Sequence, residues 1–421
     1  MIAVISAGGR GTRLQSVYPD LPKPLVPVQG KAISERAVET LQRQGVTDFI
    51  FTLGYRAESI RRYFGDGSAF GVRIRYVTEQ VPLGSVGALA FCKERLDSDF
   101  LFVSGDLVFD FSLSRFWAFH GKHGAVCTAF AHPSDHLQDS SRIRAEESGK
   151  VLCVYSKGDI PSEPCRNLTF AGIYLLSPRV LAPLCGQRAD VDEIIAPWVN
   201  KGLYAYRSAE YVRDAGTPER LQSVQADLKA GLPRRKNADE RQRAVFLDRD
   251  GTVNVWKGFI RRPDQIELLP GAAEAIAALH SAGYLVIVVT NQPVIARGEV
   301  TEETLYAIHA ELERQLAERG AYVDDIFYCP HHPHGGYAGE VAELKVECPC
   351  RKPQPGLLLR AAERYNIDLE SSWMAGDAET DVLAGKRAHC RTVRIRNGAE
   401  PTQAEFAGES LADCVNYILK H

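Results

Sequence analysis

Two groups of residues in this 421-residue chain have the types and spacing for phosphate chemistry. The first is Ala7-Gly8-Gly9-Arg10-Gly11-Thr12-Arg13-Leu14, which follows the apolar run Ile2–Ile5. A glycine-rich turn after a strand presents backbone N–H groups to an anion with no side chains in the way. The dinucleotide pattern G-x-G-x-x-G fails because position 14 is Leu, and the G-x-x-x-x-G-K-[ST] loop fails because Arg13 follows Thr12. What remains is a Gly-Gly-x-Gly-Thr-Arg-Leu turn with Pro22-Lys23-Pro24-Leu25 downstream. Arg13 and Lys23 together can neutralise a triphosphate and the pyrophosphate that leaves it. The second group is Phe246-Leu247-Asp248-Arg249-Asp250-Gly251-Thr252. Its two aspartates suit attack on a phosphate ester by one carboxylate and proton transfer by the other.

The elements that must position these groups alternate in type. Apolar β-rich runs at Ile2–Ile5, Asp48–Leu53, Val72–Val77, Phe100–Val103, Ala125–Phe130 and Phe170–Leu176 are interleaved with helical patterns such as Ser34–Gln44 and Pro218–Lys229. That layering predicts an α/β domain over residues 1–230. Residues 231–243 are polar, charged and broken by Gly231 and Pro233, and read as an interdomain linker. The alternation restarts over 244–421, with strands expected at Ala244–Leu247, Tyr284–Thr290, Trp373–Ala375 and Thr392–Ile395. Helices are expected at Pro270–Ala282 and Thr301–Arg319. No internal repeat relates the two halves.

Length alone favours two or more domains. With 50 basic against 53 acidic residues the net charge is −3, so no bulk field favours nucleic acid or a membrane surface. No apolar stretch approaches the roughly 20 residues that span a bilayer. The N-terminal strand runs directly into the glycine loop without the marks of a signal peptide, and a cytoplasmic chain is expected. Of ten cysteines, Cys92, Cys127, Cys153, Cys165, Cys185, Cys390 and Cys414 are scattered and read as buried small hydrophobes. Cys329, Cys348 and Cys350 cluster with His331, His332 and His334. Three thiolates and one imidazole suit tetrahedral Zn²⁺, and four protein ligands leave no open position, so such a metal is structural.

The glycine loop with its Pro-Lys-Pro resembles the sugar-1-phosphate nucleotidyltransferases over most of residues 1–230. The resemblance implies a Rossmann-like fold with a GT-A-like mixed sheet, and nucleotide contacts at Gly8, Gly9, Gly11, Thr12, Glu79 and Gly84. It places base contacts in Glu79–Gly87 and Mg²⁺ ligands at Asp106, in Ser104-Gly105-Asp106, and at Asp214, in Asp214-Ala215-Gly216-Thr217-Pro218. It also aligns Lys157 with a lysine that meets the sugar phosphate, although the context here is Tyr-Ser-Lys-Gly. Two carboxylates converging at strand ends can hold Mg²⁺ against the α-phosphate.

Asp248-x-Asp250 is followed by Thr290-Asn291-Gln292, by Arg351-Lys352-Pro353, and by Gly376-Asp377 with Asp381 four residues on. This ordered set is similar to the haloacid dehalogenase superfamily over 244–415, implying a Rossmannoid domain. In that reading Asp248 is the nucleophile and Asp250 the acid and base. Thr290 and Lys352 hold the phosphoryl oxygens, and Mg²⁺ is bound by Asp248, Asp250 and Asp377. The stretch Phe246–Asn254, the zinc loop and Cys350–Gly356 narrow the resemblance to D-glycero-D-manno-heptose 1,7-bisphosphate 7-phosphatases. It implies substrate contacts at Asn254, Asn291 and Arg351, and zinc at Cys329, His331, Cys348 and Cys350. Histidinol-phosphate phosphatases share much of the pattern. Departures are Pro293-Val294, where Ser-Gly is usual, and sixteen residues between His331 and Cys348.

Together the resemblances imply two consecutive steps. Removing the 7-phosphate from heptose 1,7-bisphosphate gives heptose 1-phosphate, which the first domain would join to GMP from GTP. The first resemblance includes the D-glycero-α-D-manno-heptose 1-phosphate guanylyltransferases. The alternatives are a nucleotidyltransferase using ATP, CTP or dTTP beside a different phosphatase, and a scaffold with degenerate sites. Small-molecule substrates are the expected partners, with oligomeric state left open.

Overall fold

A computed structural model describes every residue except 135, 136, 138–140, 160 and 397–400. The chain divides into two compact units. One comprises Met1–Ala131, Arg144–Val154 and Phe170–Asn237, the other His132–Ile143, Tyr155–Thr169 and Ala238–His421. Two excursions from the first half of the sequence thus cluster with the second unit, where the sequence reading had an undivided stretch of 1–230.

In the first unit, strand Ile2–Ala7 lies between Asp48–Leu53 and Phe100–Ser104, parallel to both. Arg73–Thr78 extends the parallel set, whereas Thr169–Leu176 joins Phe100–Ser104 antiparallel, so the sheet is mixed. The central strands are apolar because both faces are covered. Helix Ile33–Gln42 buries Ile33, Ala37, Val38 and Leu41, an i, i+4, i+5, i+8 stripe. A separate ribbon pairs Leu107–Asp110 antiparallel with Tyr211–Asp214 and sets Leu107 opposite Asp214.

The second unit carries six parallel strands in the order Asp325–Cys329, Leu285–Asn291, Ala244–Leu247, Trp373–Gly376, Arg391–Ile395 and Phe406–Gly408. Ala244–Leu247 is wholly buried at the centre. Helices Ala272–Ser281, Glu302–Ala317, Gly356–Tyr365, Glu379–Arg387 and Leu411–Ile418 belong to the same unit. In doubly wound sheets ligands bind beyond the carboxyl ends of the strands. Asp248, Asn291 and Asp377 all lie at such ends.

Two expectations are corrected. Residues 231–243 are not a solvated linker. Leu232–Arg235 is a helical turn with Pro233 in its first positions, where a missing N–H costs nothing, and Leu232 and Pro233 are buried. The buried Asn237 donates from Nδ2 to Asp110 Oδ1 at 2.6 Å. Gln242 N–H donates to Asn366 O at 2.9 Å, and Asp368 N–H to Gln242 O at 2.7 Å. One side-chain amide and two backbone bonds thus tie down a segment whose composition suggested solvation. Among the seven scattered cysteines, Cys185 is exposed and Cys153 and Cys165 are half-buried, because they sit in loops and at a sheet margin. Among the described residues no helix is long and apolar enough to cross a membrane.

Replacing Asn237 by Ala removes a donor from the nearly buried Asp110 carboxylate. A loss of about 1–3 kcal/mol is expected, read as a lower Tm of the full chain, whereas a true linker residue would leave Tm unchanged.

Candidate active sites

The glycine loop opens a cavity of about 680 Å³ in the first unit. Gly8, Gly9, Gly11, Thr12, Arg13, Lys23, Glu79, Gly84 and Asp106 all line it. Gly11 caps the turn Thr12–Leu14 at φ 62°, and a Cβ there would stand 2.7 Å from Lys23 Cβ. Only glycine meets both conditions. Leu14 is buried beneath the turn, which leaves Arg13 exposed at its rim.

Lys23, at the start of the turn Lys23–Leu25, forms an ion pair with Asp106. Ala215 N–H donates to Asp106 O at 3.0 Å, so the antiparallel register brings Asp106 and Asp214 to the same end of the ribbon. Asp214 accepts from Gly216 N at 3.0 Å and from Arg220 at 2.8 Å. Two carboxylates fit Mg²⁺, which commonly takes one or two of them together with substrate phosphates and water. Asp214 itself is outside the cavity lining, and its neighbour Gly216 is within it. Lys157 is exposed in a turn after Tyr155, in an excursion that clusters with the second unit, and does not line the cavity.

In the stretch expected to meet the base, Glu79 Oε2 accepts from Leu83 N at 3.0 Å, and burial raises its carboxyl pKa. Sequence reasoning missed what holds this stretch. Ser85 N donates to Asp190 Oδ1 at 2.9 Å, Val191 N to Ser85 Oγ at 2.9 Å, and Ser6 Oγ to Ser85 O at 3.1 Å. More than 100 residues separate Ser85 from Asp190, so no local pattern could have announced the clamp.

In the second unit Asp248 leaves the central strand, its N–H donating to Ala375 O at 3.0 Å. Lys352 Nζ lies 2.7 Å from Asp248 Oδ1, 2.7 Å from Asp381 Oδ1 and 2.8 Å from Val289 O. Burial opposes charge on Lys352, but the two carboxylates outweigh it and raise the ammonium pKa. Burial lifts Asp248 to about 6, against the pull of Lys352, and Asp377 to about 6 with Asp248 adding repulsion. Oxygens of Asp248, Asp377 and Asp381 lie within 4.8 Å of one another. This hard donor set fits Mg²⁺. Gly251, at φ 80°, is required by the same packing, since a Cβ would stand 2.3 Å from Asp377 Oδ2.

Asp248 and Asp377, expected at the metal, lie together, with Asp381 beside them. The Asp250 carboxylate is turned onto other partners. Arg249 reaches Asp250 Oδ2 from NH2 at 2.7 Å and Oδ1 from Nε at 3.1 Å, with Asn254 at 3.0 Å and Gln292 at 3.1 Å. Asn254, expected at the substrate, is instead fully buried and holds Asp250. Asn291 likewise clamps Lys352 by its backbone: Nδ2 donates to Lys352 O, and Lys352 N to Oδ1, both at 3.0 Å. Thr290 is buried and its hydroxyl accepts from Gln292 at 2.9 Å.

The Sγ atoms of Cys329, Cys348 and Cys350 stand 3.2–3.5 Å apart, and His331 Nδ1 lies 3.6 Å from Cys329 and 3.4 Å from Cys350. These separations are far too long for a disulfide and close to the edges of a tetrahedron about a metal at roughly 2.3 Å. His332 turns away, with Nδ1 at His334 O and Nε2 at Arg297, and His334 is exposed. Arg351 donates to His331 O at 3.2 Å, tying the cluster to the residue before Lys352.

Residues 2–231 match the family model described as Nucleotidyl transferase, and residues 187–389 match haloacid dehalogenase-like hydrolase. The D-glycero-beta-D-manno-heptose-1,7-bisphosphate 7-phosphatase of Pasteurella multocida is 42% identical over 42% of this chain and 97% of its own length. That of Escherichia coli K12 is 41% identical over 42% of this chain and 94% of its own. A solved structure, HddC from Yersinia pseudotuberculosis, is 24% identical over 54% of this chain and 99% of that one, with a TM-score of 0.47. The chain belongs to the nucleotidyl transferase family through its first part and to the haloacid dehalogenase-like hydrolases through its second.

Protons on Asp248 and Asp377 compete with Mg²⁺, because a protonated carboxyl is a poor ligand. The Mg²⁺ concentration that half-saturates phosphate release should be flat above pH 7 and rise about tenfold per unit below pH 6 for each carboxyl that must lose its proton, up to about a hundredfold for both. A requirement independent of pH from 5 to 8 would count against this acid group as the metal site.

Proposed function

We propose that the chain performs two steps of nucleotide-activated heptose synthesis, phosphatase chemistry in residues 244–421 and nucleotidyl transfer in residues 1–230. The observation that carries this reading is that both charged constellations are assembled in one chain. Lys352 lies between Asp248 and Asp381 beside Asp377, and Lys23 lies on Asp106 at the wall of the triphosphate-sized cavity.

In the phosphatase step an Asp248 oxygen attacks the 7-phosphorus and the P–O bond to the sugar breaks. The Asp250 carboxyl gives its proton to the departing alkoxide. Asp250 then takes a proton from the water that attacks the aspartyl-phosphate, releasing phosphate and restoring Asp248. Lys352 offsets repulsion between carboxylate and phosphate, and bound Mg²⁺ would add neutralising charge at Asp248, Asp377 and Asp381. The relatives' activity on the heptose 1,7-bisphosphate supports the substrate. Zinc at Cys329, His331, Cys348 and Cys350 would hold the loop carrying Arg351 and Lys352.

In the transfer step the sugar phosphate attacks the α-phosphorus in line and pyrophosphate leaves, so positioning and charge neutralisation do most of the work. Lys23 and Arg13 meet the triphosphate, and Asp106 and Asp214 would hold Mg²⁺ there. GTP is favoured by Glu79, an acceptor-only group on the cavity wall. Guanine presents adjacent N1–H and N2–H₂ donors that a carboxylate can accept together. Hydrolysis at C7 leaves C1 untouched, so both halves must take the same anomer.

Each anomer of heptose 1,7-bisphosphate, incubated with Mg²⁺, pyrophosphatase and one of GTP, ATP, CTP or dTTP, tests the whole reading by ³¹P NMR. GTP alone should yield a nucleotide sugar. Free phosphate without a nucleotide sugar in all eight mixtures would remove the transferase half. Asp248→Asn should abolish phosphate release, by about 10³-fold or more, and spare transfer to supplied heptose 1-phosphate. Asp106→Asn should do the reverse. Elemental analysis of native protein should find about one zinc per chain, and Cys348→Ser should lose it.

A further inference from the structure

Asp377 stands one residue beyond strand Trp373–Gly376, and the direction of its side chain depends on how the chain leaves that strand. The peptide unit joining Asp377 to Ala378 is held at both ends. Its N–H, on Ala378, donates to Asp381 Oδ2 at 3.1 Å, while the other oxygen of Asp381 lies 2.7 Å from Lys352 Nζ. Its carbonyl, on Asp377, accepts from Arg394 Nε at 3.0 Å. A peptide unit is planar, so fixing its oxygen and its N–H together fixes ψ of Asp377, and with it the line along which the carboxylate leaves Cα. The carboxylate itself packs onto Gly251, where a Cβ would stand 2.3 Å from Oδ2.

Arg394 is well placed to make that bond. It lies on strand Arg391–Ile395, opposite Gly376 in the parallel register, so its side chain reaches across a single residue to meet Asp377 O. It is 6% exposed, and a guanidinium removed from water to that extent must be paired. NH1 lies 3.2 Å from Oε2 of Glu379, the first residue of helix Glu379–Arg387. Glu379 is fastened in turn, with Thr402 Oγ1 donating to Oε2 at 2.8 Å and Gln403 N–H to Oε1 at 3.0 Å. The guanidinium is a rigid plane, so Glu379 at NH1 sets the direction in which Nε meets the carbonyl. Hydrogen bonds therefore run without a gap from Thr402 through Glu379 and Arg394 to the backbone of the acid group.

We infer that Arg394 is a positioning residue for the metal site of the second unit, its bond to the Asp377 carbonyl aiming that carboxylate at a divalent cation shared with Asp248. It acts through the Asp377 backbone. Removing a group that orients a metal ligand typically costs about 10–100-fold in metal affinity. The inference rests on the reading of Asp248 and Asp377 as Mg²⁺ ligands.

Mn²⁺ takes the same oxygen ligands as Mg²⁺, and its free ion is read by EPR. The test titrates the full chain with Mn²⁺ and assigns to the second unit the sites that Asp377→Asn removes. Arg394→Met should raise their dissociation constant about tenfold or more and leave their number unchanged. The Mg²⁺ concentration that half-saturates phosphate release should rise by a similar factor, with kcat at saturating Mg²⁺ within about threefold. Arg394→Lys, which can keep one of the two bonds, should recover part of the affinity. Glu379→Gln keeps shape and removes the charge that orients the guanidinium. It should weaken the same sites about threefold or more even if Arg394→Met does not fold. Unchanged affinity in Arg394→Met, or in Glu379→Gln where Arg394→Met does not fold, overturns the inference. Fewer sites at unchanged affinity overturns it too, since that is the mark of a purely structural role. If Asp377→Asn removes no Mn²⁺ site from the chain, the reading of the acid group as a metal site falls instead.

Discussion

The ammonium of Lys352 is the interaction on which the second unit is built. Three aspartates, 248, 377 and 381, converge at the carboxyl ends of buried strands, where uncompensated negative charge is costly. One lysine, 2.7 Å from two of them, offsets that charge. Removing one partner of such a buried group typically costs about 3–5 kcal/mol, because the other is left without compensation. The surrounding structure follows from holding this one side chain. Asn291 fixes its backbone through both amide atoms, Val289 accepts from its Nζ, and Arg351 ties its neighbour to the cysteine cluster.

The first unit solves a related problem with less burial. Lys23 pairs with Asp106 at the wall of an open cavity, where the side chains are 13% and 29% exposed. A pair in that setting holds less energy than a buried one and exchanges partners more readily. On the proposed reading, that suits Lys23 passing from the carboxylate to a triphosphate on binding, with the carboxylate then released for a cation. The contrast separates two modes of preorganisation. Lys352 lies buried between two carboxylates, and Lys23 is paired with one at an open wall.

Much of this was legible in the sequence wherever chemistry and local order coincide. Strand ends carrying Asp106, Asp248, Thr290 and Asp377 could be placed because an apolar run stops at a polar residue of defined type. The mixed sheet was expected from resemblance and the cysteine–histidine cluster from two close pairs of soft ligands, with His331 chosen over His332 by resemblance rather than spacing. What escaped were roles set by long-range packing. Asn254 and Asn291 looked like substrate contacts because they sit within motifs, but the fold spends their amides on Asp250 and on the Lys352 backbone. Residues 231–243 looked solvated because composition does not reveal that Asn237 meets Asp110. Ser85 with Asp190 and Arg166 with Glu313 are joined across more than 100 residues, where periodicity carries no information.

The chemistry of the two steps also explains why one chain can contain both without undoing its own work. A phosphatase that accepted any sugar phosphate would destroy the substrate of its partner activity. Selectivity for the 7-position cannot come from the proposed aspartyl chemistry, since a carboxylate nucleophile attacks any phosphorus brought to it. It must come from groups that hold the rest of the sugar and from an acid set to protonate one leaving oxygen. Asp250 is well constrained for that role, because Arg249, Asn254 and Gln292 hold its carboxylate from three sides. An acid so fixed protonates efficiently only an oxygen that arrives in one place. A primary alcohol at the end of a seven-carbon chain can reach that place with its phosphate at Asp248. On the proposed reading, an anomeric oxygen, crowded by the ring, would meet a different geometry, and its phosphate would be left for nucleotidyl transfer.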